Sequence, residues 1–239
     1  MNGFVSHLFS LLSSKGKVCA CCGADLYGHP YFCERCLTLL PFNNECICSK
    51  CGRATPQPCL ACLECKANMP AFDAARSAFR YEGEIVRLIR QFKNGQKYLA
   101  EVFAGCMYPL LSEFEAPDFV IGIPMTKEAV KRRGYNQSEL LARAVCRLAR
   151  YKFEGNVLIK TRETAAQKTL SAKQRAQNLR GSMRVHERAK CRGKRILLID
   201  DVLTTGATAS VAAQALLRAG AARVYVLTAA SVPDRRDDT

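Results

Sequence analysis

The most informative segment of this 239-residue chain reads Ile196-Leu197-Leu198-Ile199-Asp200-Asp201-Val202-Leu203-Thr204-Thr205-Gly206-Ala207-Thr208. Its four branched apolar residues predict a buried parallel strand, and the Gly-Ala-Thr-Ala run that ends the turn predicts the start of a helix. The acid pair and the hydroxyl-bearing turn therefore fall at the carboxyl end of a central strand, where open α/β sheets bind ligands.

Residues 204–208, called the phosphate loop below, have the composition of a phosphate site. The three threonines supply hydroxyl donors, the glycine lets the backbone approach closely, and the unpaired N–H groups of a helix N-terminus attract a dianion. The alternative is an ordinary strand-turn-helix with one capping threonine. The candidate binding residues are Thr204, Thr205, Gly206, Ala207 and Thr208.

Asp200 and Asp201 precede this loop and can accept hydrogen bonds from the vicinal hydroxyls of a ribose, directly or through Mg²⁺. The apolar strand, two acids and Thr-Thr-Gly-x-Thr loop resemble the phosphoribosyl pyrophosphate (PRPP) signature of type I phosphoribosyltransferases. Two other phosphate motifs, Gly-x-x-x-x-Gly-Lys-Ser/Thr and a Gly-x-Gly-x-x-Gly that follows a strand, do not occur in the sequence. Nucleoside triphosphatases and dinucleotide enzymes are therefore disfavoured.

Cysteines concentrate near the start of the chain, where 11 of the 14 occur at or before residue 65. Four C-x-x-C pairs can supply eight thiolates, enough for two tetrahedral Cys₄ zinc sites that would stabilise a module with few large apolar residues. A disulfide scaffold and an iron–sulfur cluster are the alternatives. The predicted ligands are Cys19, Cys22, Cys33, Cys36, Cys48, Cys51, Cys62 and Cys65.

The pairing of these cysteines is open from spacing alone. Sequential use would put the first four at one zinc and the last four at the other, but a crossed arrangement also fits. Cys21, Cys46 and Cys59 would be spare, and Cys59 with Cys62 is an alternative fourth pair.

The formal charge of +15 is unevenly distributed. Residues 1–70 carry only about +2, whereas residues 147–195 carry fifteen basic against three acidic side chains. Such a segment can contact single-stranded DNA by tracking its phosphates, or it can be a solvated helical surface.

From residue 72 onward the pattern alternates between strands and helices, which predicts a parallel or mixed sheet with right-handed crossovers. The predicted strands cover residues 75–81, 119–121, 156–159, 196–199 and 224–227. The predicted helices cover residues 85–92, 96–111, 137–150 and the segment up to residue 217.

A second loop follows the strand at residues 119–121. It begins Gly122-Ile123-Pro124-Met125 and leads into Lys131-Arg132-Arg133-Gly134. Pyrophosphate binding needs backbone donors and cationic side chains, and arginine can donate two parallel hydrogen bonds to an oxyanion. Pro124, Met125 and Arg133 are therefore candidate pyrophosphate contacts, with a solvated basic turn as the alternative.

These features occur in an order that resembles the ComF family of bacterial competence proteins. The resemblance is carried by the four C-x-x-C pairs, Pro70-x-Phe72, Arg133-Gly134-Tyr135-Asn136-Gln137, Arg162-x-x-x-x-Gln167, Arg175-x-x-Asn178-Leu179 and Asp200-Asp201. It implies a double zinc ribbon followed by a type I phosphoribosyltransferase-like α/β domain, and a role in the uptake of single-stranded DNA. It also implies that Asp200 and Asp201 contact ribose or Mg²⁺, that the phosphate loop binds the 5′-phosphate, and that Arg133 lies near pyrophosphate. The Gly122-Ile123-Pro124-Met125 loop departs from the Val-Pro-Val-Pro-like loop that is more usual in the family.

The domain organisation expected from these patterns has four parts: an N-terminal amphipathic helix in residues 1–18, the double zinc ribbon in 19–70, the phosphoribosyltransferase-like domain in 71–232 and a polar tail in 233–239. No apolar run reaches the roughly 18 residues of a membrane span, and the start carries no cation before its apolar segment. We therefore expect a cytoplasmic protein with reduced cysteines.

Two functional hypotheses follow. The first is an enzyme that displaces pyrophosphate from C1 of PRPP with an acceptor that the sequence does not identify. The second is a competence factor that binds single-stranded DNA or other competence proteins and keeps the PRPP site as a sensor or relic.

Overall fold

The computed structural model describes residues 18–27, 30–162 and 181–234. Its strands are β1 (Ala74–Arg80), β2 (Phe119–Gly122), β3 (Leu158–Lys160), β4 (Met183–Val185), β5 (Arg195–Leu203) and β6 (Arg223–Ser231). Within these residues the main sheet has four parallel strands in the order β1-β6-β5-β2. The strand that carries the acid pair, β5, is thus central, as its unbroken apolar run predicts for a strand buried on both faces.

Helices connect and cover these strands. They are α1 (Glu34–Leu39), α2 (Leu63–Ala67), α3 (Gly83–Lys93), α4 (Leu99–Met107), α5 (Lys127–Arg133), α6 (Gln137–Ala149), α7 (Arg188–Cys191) and α8 (Ala207–Arg218), with a 3₁₀ turn at Tyr108–Glu113. The α/β architecture expected from the alternation of strands and helices is confirmed.

Alternate residues of β5 face two halves of the core. Leu197 and Ile199 lie in one half with buried residues of α3, α4 and α6, while Ile196 and Leu198 lie in the other with buried residues of α8. This division follows from the two-residue period of a strand. Each half also includes one group of N-terminal cysteines, so both faces of the sheet contact cysteine-bearing segments.

We call residues 18–42 the first ribbon and residues 43–70 the second ribbon. The first ribbon contributes Cys19, Phe32 and Leu40 to the core half that contains α3 and α4. The second ribbon contributes its four buried cysteines to the half that contains α8.

Three local predictions need correction. The strand expected at residues 156–159 is β3, which pairs antiparallel with β4 in a separate two-stranded sheet rather than joining the main one. The helix expected at residues 96–111 begins at Leu99 and gives way to the 3₁₀ turn, where Pro109 occupies an early position. The basic loop before residue 134 contains α5, a short helix with no buried residue and hence little apolar periodicity.

No helix in the described ranges is long and apolar enough to cross a membrane. The amphipathic helix predicted in residues 1–18 lies outside the described residues except for Val18, and most of the polar tail is also outside them.

Candidate functional site

The acid pair lies where β5 extends beyond its neighbour β2. Gly122, the last residue of β2, pairs with Ile199, whereas Asp200 pairs only on its other side, with Thr228 of β6. A crevice at the carboxyl ends of two diverging parallel strands is the usual ligand position in an open α/β sheet.

Asp200 accepts two hydrogen bonds through Oδ1. Ser138 Oγ donates at 2.7 Å and the Asp201 backbone N–H at 2.9 Å. Burial raises the pKa of Asp200 to about 7, the charge of Asp201 adds to the rise, and the two hydrogen bonds oppose it. Asp200 therefore changes charge near neutral pH in the free protein, and a bound cation would favour its ionised form.

Gly122 allows Ser138 to reach Asp200. A Cβ at position 122 would lie 2.6 Å from the Ser138 carbonyl oxygen, so α6 can approach the end of β2 this closely only over a glycine. The glycine at position 122 is thus explained by the packing of α6.

Asp201 forms an ion pair with Lys93, whose Nζ lies 3.1 Å from Oδ2. The Asp201 side chain is 13% exposed, which leaves this interaction partly shielded from water. Sequence reasoning missed Lys93. Its only signal was a cation at the end of an amphipathic helix, just before Asn94-Gly95.

The phosphate loop connects β5 to the N-terminus of α8. Gly206 is buried and adopts φ +78°, a left-handed conformation that glycine tolerates best. Thr205 Oγ1 accepts a hydrogen bond of 3.3 Å from the Ala207 N–H, and Thr204 is exposed. Thr208 follows in the first turn of the 12-residue helix α8. The loop therefore combines hydroxyl groups with a helix N-terminus, as the sequence predicts.

A cavity of about 520 Å³ opens beside the acid pair. It is lined by Lys93, Asn94, Gly95, Met125, Ala129, Arg132 and Arg133. Three of these side chains are cationic, which suits an anionic ligand. Because Lys93 also pairs with Asp201, the cavity and the acid pair are contiguous.

The predicted pyrophosphate contacts lie around this cavity. Arg133 is exposed at the end of α5, and its Nη1 donates to Gln137 Oε1 at 2.9 Å. Met125 lines the cavity, and the partly exposed Pro124 immediately precedes it in the chain. Arg132, which was not selected from the sequence, lines the cavity as well.

Two residues of the Arg-Gly-Tyr-Asn-Gln motif organise the site. The buried Tyr135 hydroxyl donates to the Phe92 carbonyl and accepts a 3.1 Å hydrogen bond from the Gly95 N–H, so it fixes the segment that carries Lys93. Asn136 caps α6 by accepting from the Ser138 N–H at 3.1 Å, and its Nδ2 donates to the Ile123 carbonyl at 3.0 Å.

The cysteines group sequentially in space. The Sγ atoms within each group lie within 4.8 Å of one another, and each set could hold a metal ion. One set is Cys19, Cys22, Cys33 and Cys36, and the other is Cys48, Cys51, Cys62 and Cys65. Cys65 rather than Cys59 completes the second set, while Cys21 and Cys46 belong to neither.

The spacing within these sets fits zinc. Cys22 and Cys33 Sγ are 3.7 Å apart, and Cys51 and Cys62 Sγ are 3.6 Å apart. A tetrahedral ion with Zn–S bonds of about 2.3 Å requires an S–S edge of about 3.8 Å. Backbone N–H groups also point at sulfur, with Cys62 N 3.2 Å from Cys48 Sγ. Bound zinc would act structurally here, cross-linking the thiolates of each ribbon.

The basic segment at residues 147–195 is described only on either side of residues 163–180. Five of its described cations pair with acids: Arg147 with Glu101, Lys152 and Lys190 with Glu154, and Lys194 and Arg195 with Asp118. The described part of this surface is therefore less positive than its composition indicates. Gln167, Arg175, Asn178 and Leu179 lie outside the described residues.

The chain is similar to known proteins over most of its length. The phosphoribosyl transferase domain family matches residues 113–239. The DNA utilization protein YhgH of Escherichia coli O6:H1 is 30% identical over 208 residues, which cover 83% of this chain and 89% of that protein. Competence protein F of Haemophilus influenzae is 25% identical over 221 residues, covering 89% of this chain and 90% of that protein. A phosphoribosyltransferase structure from Corynebacterium diphtheriae is 16% identical, covers 60% of this chain and 72% of its own, and superposes with a TM-score of 0.36.

Proposed function

The chain belongs to the phosphoribosyl transferase domain family and is a homologue of the competence F proteins, and on this premise we propose that it binds PRPP at the carboxyl end of β5 and transfers its phosphoribosyl group. The observation that carries the proposal is the position of Lys93, which pairs with Asp201 and also lines the cation-rich cavity. One side chain thereby joins the region suited to ribose with the region suited to pyrophosphate.

In this proposal each part of the site holds one part of PRPP. Asp200 and Asp201 accept hydrogen bonds from the ribose hydroxyls or hold Mg²⁺, and the phosphate loop binds the 5′-phosphate. The cavity receives the pyrophosphate. The acid pair fits a hard cation because both side chains offer carboxylate oxygens, and Asp201 is paired with Lys93, which lines that cavity.

Catalysis would rest on electrostatics. Bound Mg²⁺ would neutralise charge on the leaving pyrophosphate. As the bond from C1 to pyrophosphate breaks and the bond from C1 to the acceptor forms, negative charge develops on the leaving oxygen, and Lys93, Arg132 and Arg133 surround the place where it would lie. This scheme needs no protein nucleophile.

Calorimetry of the zinc-loaded protein with PRPP and Mg²⁺ tests binding. We expect Asp200→Asn/Asp201→Asn to weaken binding by about a hundredfold or more, since two charge-assisted contacts are lost. Asp118→Asn is the matched control, because Asp118 caps the opposite end of β5 through the Arg195 N–H.

Absence of binding by folded wild type would reject the proposal. Retained binding by the double variant would reject the assigned residues. Detected binding justifies a screen of acceptors for pyrophosphate release.

The biological role that we propose is support of natural competence, through uptake or processing of single-stranded DNA. It is motivated by the names of two relatives, a DNA utilization protein and a competence protein. Gene deletion should lower transformation frequency. Complementation of the deletion with Asp200→Asn/Asp201→Asn tests whether the role in transformation needs the PRPP site. Failure to complement supports a role that needs the PRPP site, whereas full complementation supports a non-catalytic factor that binds DNA or partner proteins.

Direct DNA contact by residues 147–195 is a separate proposal. Because phosphate contacts release counterions, the affinity for a single-stranded oligonucleotide should fall steeply as salt rises. A flat salt response, or no binding at low salt, would remove this segment from consideration.

A further inference from the structure

One arginine of the second ribbon contacts the phosphate loop. Arg53 Nη2 donates to the Thr204 carbonyl at 2.6 Å, across 151 residues of sequence. Arg53 is only 5% exposed. A charge-assisted hydrogen bond in so buried a position holds its acceptor more strongly than a bond between neutral groups.

Arg53 lies next to the second cysteine cluster. It follows Cys51 by two residues, and its backbone carbonyl accepts a hydrogen bond of 3.0 Å from the Cys48 N–H. Four thiolates around one divalent ion leave two negative charges, so a loaded cluster would stabilise a buried guanidinium. The same guanidinium faces the carbonyl of the phosphate loop.

Further contacts join the second ribbon and the segment after it to the same region. The Ala71 N–H donates to Ser210 Oγ of α8 at 2.9 Å, and the buried Phe72 ring lies 3.7 Å from where a Cβ of Gly206 would be. Asp234, just after β6, accepts from the Leu63 N–H at 3.1 Å. The phosphate loop and the start of α8 are therefore packed against the second ribbon and the segment that follows it.

We propose that Arg53 is a positioning residue that ties the phosphate loop to the second cysteine cluster and holds the loop in its phosphate-receiving shape. The loop's ligand rests on the proposed function, but the tie itself is a property of the free protein. The second ribbon thereby acts on the ligand site without contributing a ligand contact of its own.

Hydrogen exchange of the zinc-loaded full chain tests this tie without any ligand. In Arg53→Met we expect faster exchange, by about tenfold to a hundredfold, of the two amides whose acceptors lie in the loop, as expected for loss of one buried charged hydrogen bond. These are the Ala207 N–H, which donates to Thr205 Oγ1, and the Ser210 N–H, which donates to the Gly206 carbonyl. Arg53→Lys, which keeps the charge, should recover part of the protection. Metal content is measured on each variant. If Arg53→Met does not retain both metal ions, Arg53→Gln, which keeps a donor but loses the charge, takes its place with the same expectation.

Arg76→Met is the matched control. Arg76 also donates to the second ribbon, at the Ser49 carbonyl at 3.1 Å, but its other partners are Glu113 and the Ala75 carbonyl rather than the phosphate loop. It should leave loop exchange unchanged. The inference is overturned if loop exchange in the metal-replete Arg53 variant equals that of wild type, or if Arg76→Met has the same effect on the loop.

PRPP titration of the same proteins separates this inference from the proposed function. We expect Arg53→Met to bind PRPP about tenfold more weakly than wild type or Arg76→Met, again from one charge-assisted bond. If wild type binds no PRPP, the proposed function fails, while the exchange experiment still decides whether Arg53 holds the loop.

Discussion

The two ribbons carry the same cysteine pattern but have different surroundings. In the first, Cys22 is exposed, Cys33 and Cys36 are half-buried, and only Cys19 is buried. In the second, all four cysteines of the set are buried. The first ribbon packs in the core half with α3 and α4, and its last residues, Pro41 and Phe42, pair with the end of β1. The second ribbon packs against β1 and also contacts the phosphate loop. Identical metal-binding motifs can therefore differ in function according to what they contact.

Two glycines show how each ribbon docks. On the first ribbon, Tyr31 packs over α4, where a Cβ at Gly105 would lie 2.3 Å from the Tyr31 ring. On the second, a Cβ at Gly52 would lie 2.3 Å from the Ala75 carbonyl oxygen of β1. The first contact joins a ring to a helix surface. The second brings the backbone of the ribbon against the backbone of β1.

Removing each cysteine cluster in turn should have the largest effect on the difference between the two ribbons. We expect Cys51→Ser/Cys62→Ser to destabilise the whole protein by on the order of 5 kcal/mol or more, because a metal site inside the core is lost. Cys22→Ser/Cys33→Ser should lose one metal ion yet keep a cooperative transition of the sheet. Thermal unfolding with metal analysis measures both. Equal destabilisation by the two pairs would contradict the difference.

A smaller difference in stability is expected from substituting the glycine that follows the first C-x-x-C pair of each ribbon. Gly23 and Gly52 both have positive φ, +74° and +66°, but a Cβ at Gly23 meets nothing within 4 Å. Gly23→Ala should therefore cost only the left-handed conformation, about 1 to 2 kcal/mol. Gly52→Ala adds a backbone clash, for a total of about 3 to 5 kcal/mol. Urea unfolding measures both losses of unfolding free energy. A loss at Gly52 no larger than at Gly23 would show that the backbone of β1 can shift to accommodate a Cβ at position 52.

The Asp200→Asn substitution leaves both ribbons intact and changes only the acid pair. The pKa of Asp200 is raised to about 7, so its protonated form stabilises the fold at low pH, and that contribution is lost as pH rises to 7. Without Mg²⁺, Asp200→Asn should therefore gain stability relative to wild type between pH 5 and pH 8, by on the order of 2 kcal/mol. Urea unfolding at the two pH values measures this.

Asp118→Asn is the control with the opposite sign. Its pKa is lowered by the Arg195 N–H and Lys194, so ionised Asp118 stabilises the fold above its unfolded pKa, and that contribution is lost as pH falls. The variant should therefore lose stability at neutral pH and little in acid. A parallel response of Asp200→Asn and Asp118→Asn would contradict the assignment of a raised pKa to Asp200.

The smallest expected effect is kinetic. Because Cys22 is exposed and the second cluster is buried, a chromogenic chelator should remove metal from the first ribbon about tenfold faster, which is about 1.4 kcal/mol in barrier height. Cys22→Ser should abolish the fast phase and leave the slow one. Release in a single phase would indicate that the two clusters are equally accessible.

Much of the candidate site could be predicted from short segments. Asp200, Asp201 and the phosphate loop are contiguous in the chain, so the strand and helix that flank them fix their relative positions. The alternation of strands and helices predicted the α/β class for the same reason. In contrast, the antiparallel pairing of β3 with β4 in a separate sheet was not predicted, because strand pairing depends on long-range register that a three-residue run does not encode.

The four C-x-x-C pairs, the acid pair and the phosphate loop could be read from the amino-acid order, since each depends on residues a few positions apart. The sequential grouping of the cysteines, the Lys93–Asp201 pair and the Arg53–Thr204 hydrogen bond became visible only in the folded chain. These contacts join residues from about 10 to 151 positions apart. Residue type and local hydrophobic periodicity do not predict such pairs, because the distance between the two residues depends on how the sheet, helices and ribbons pack.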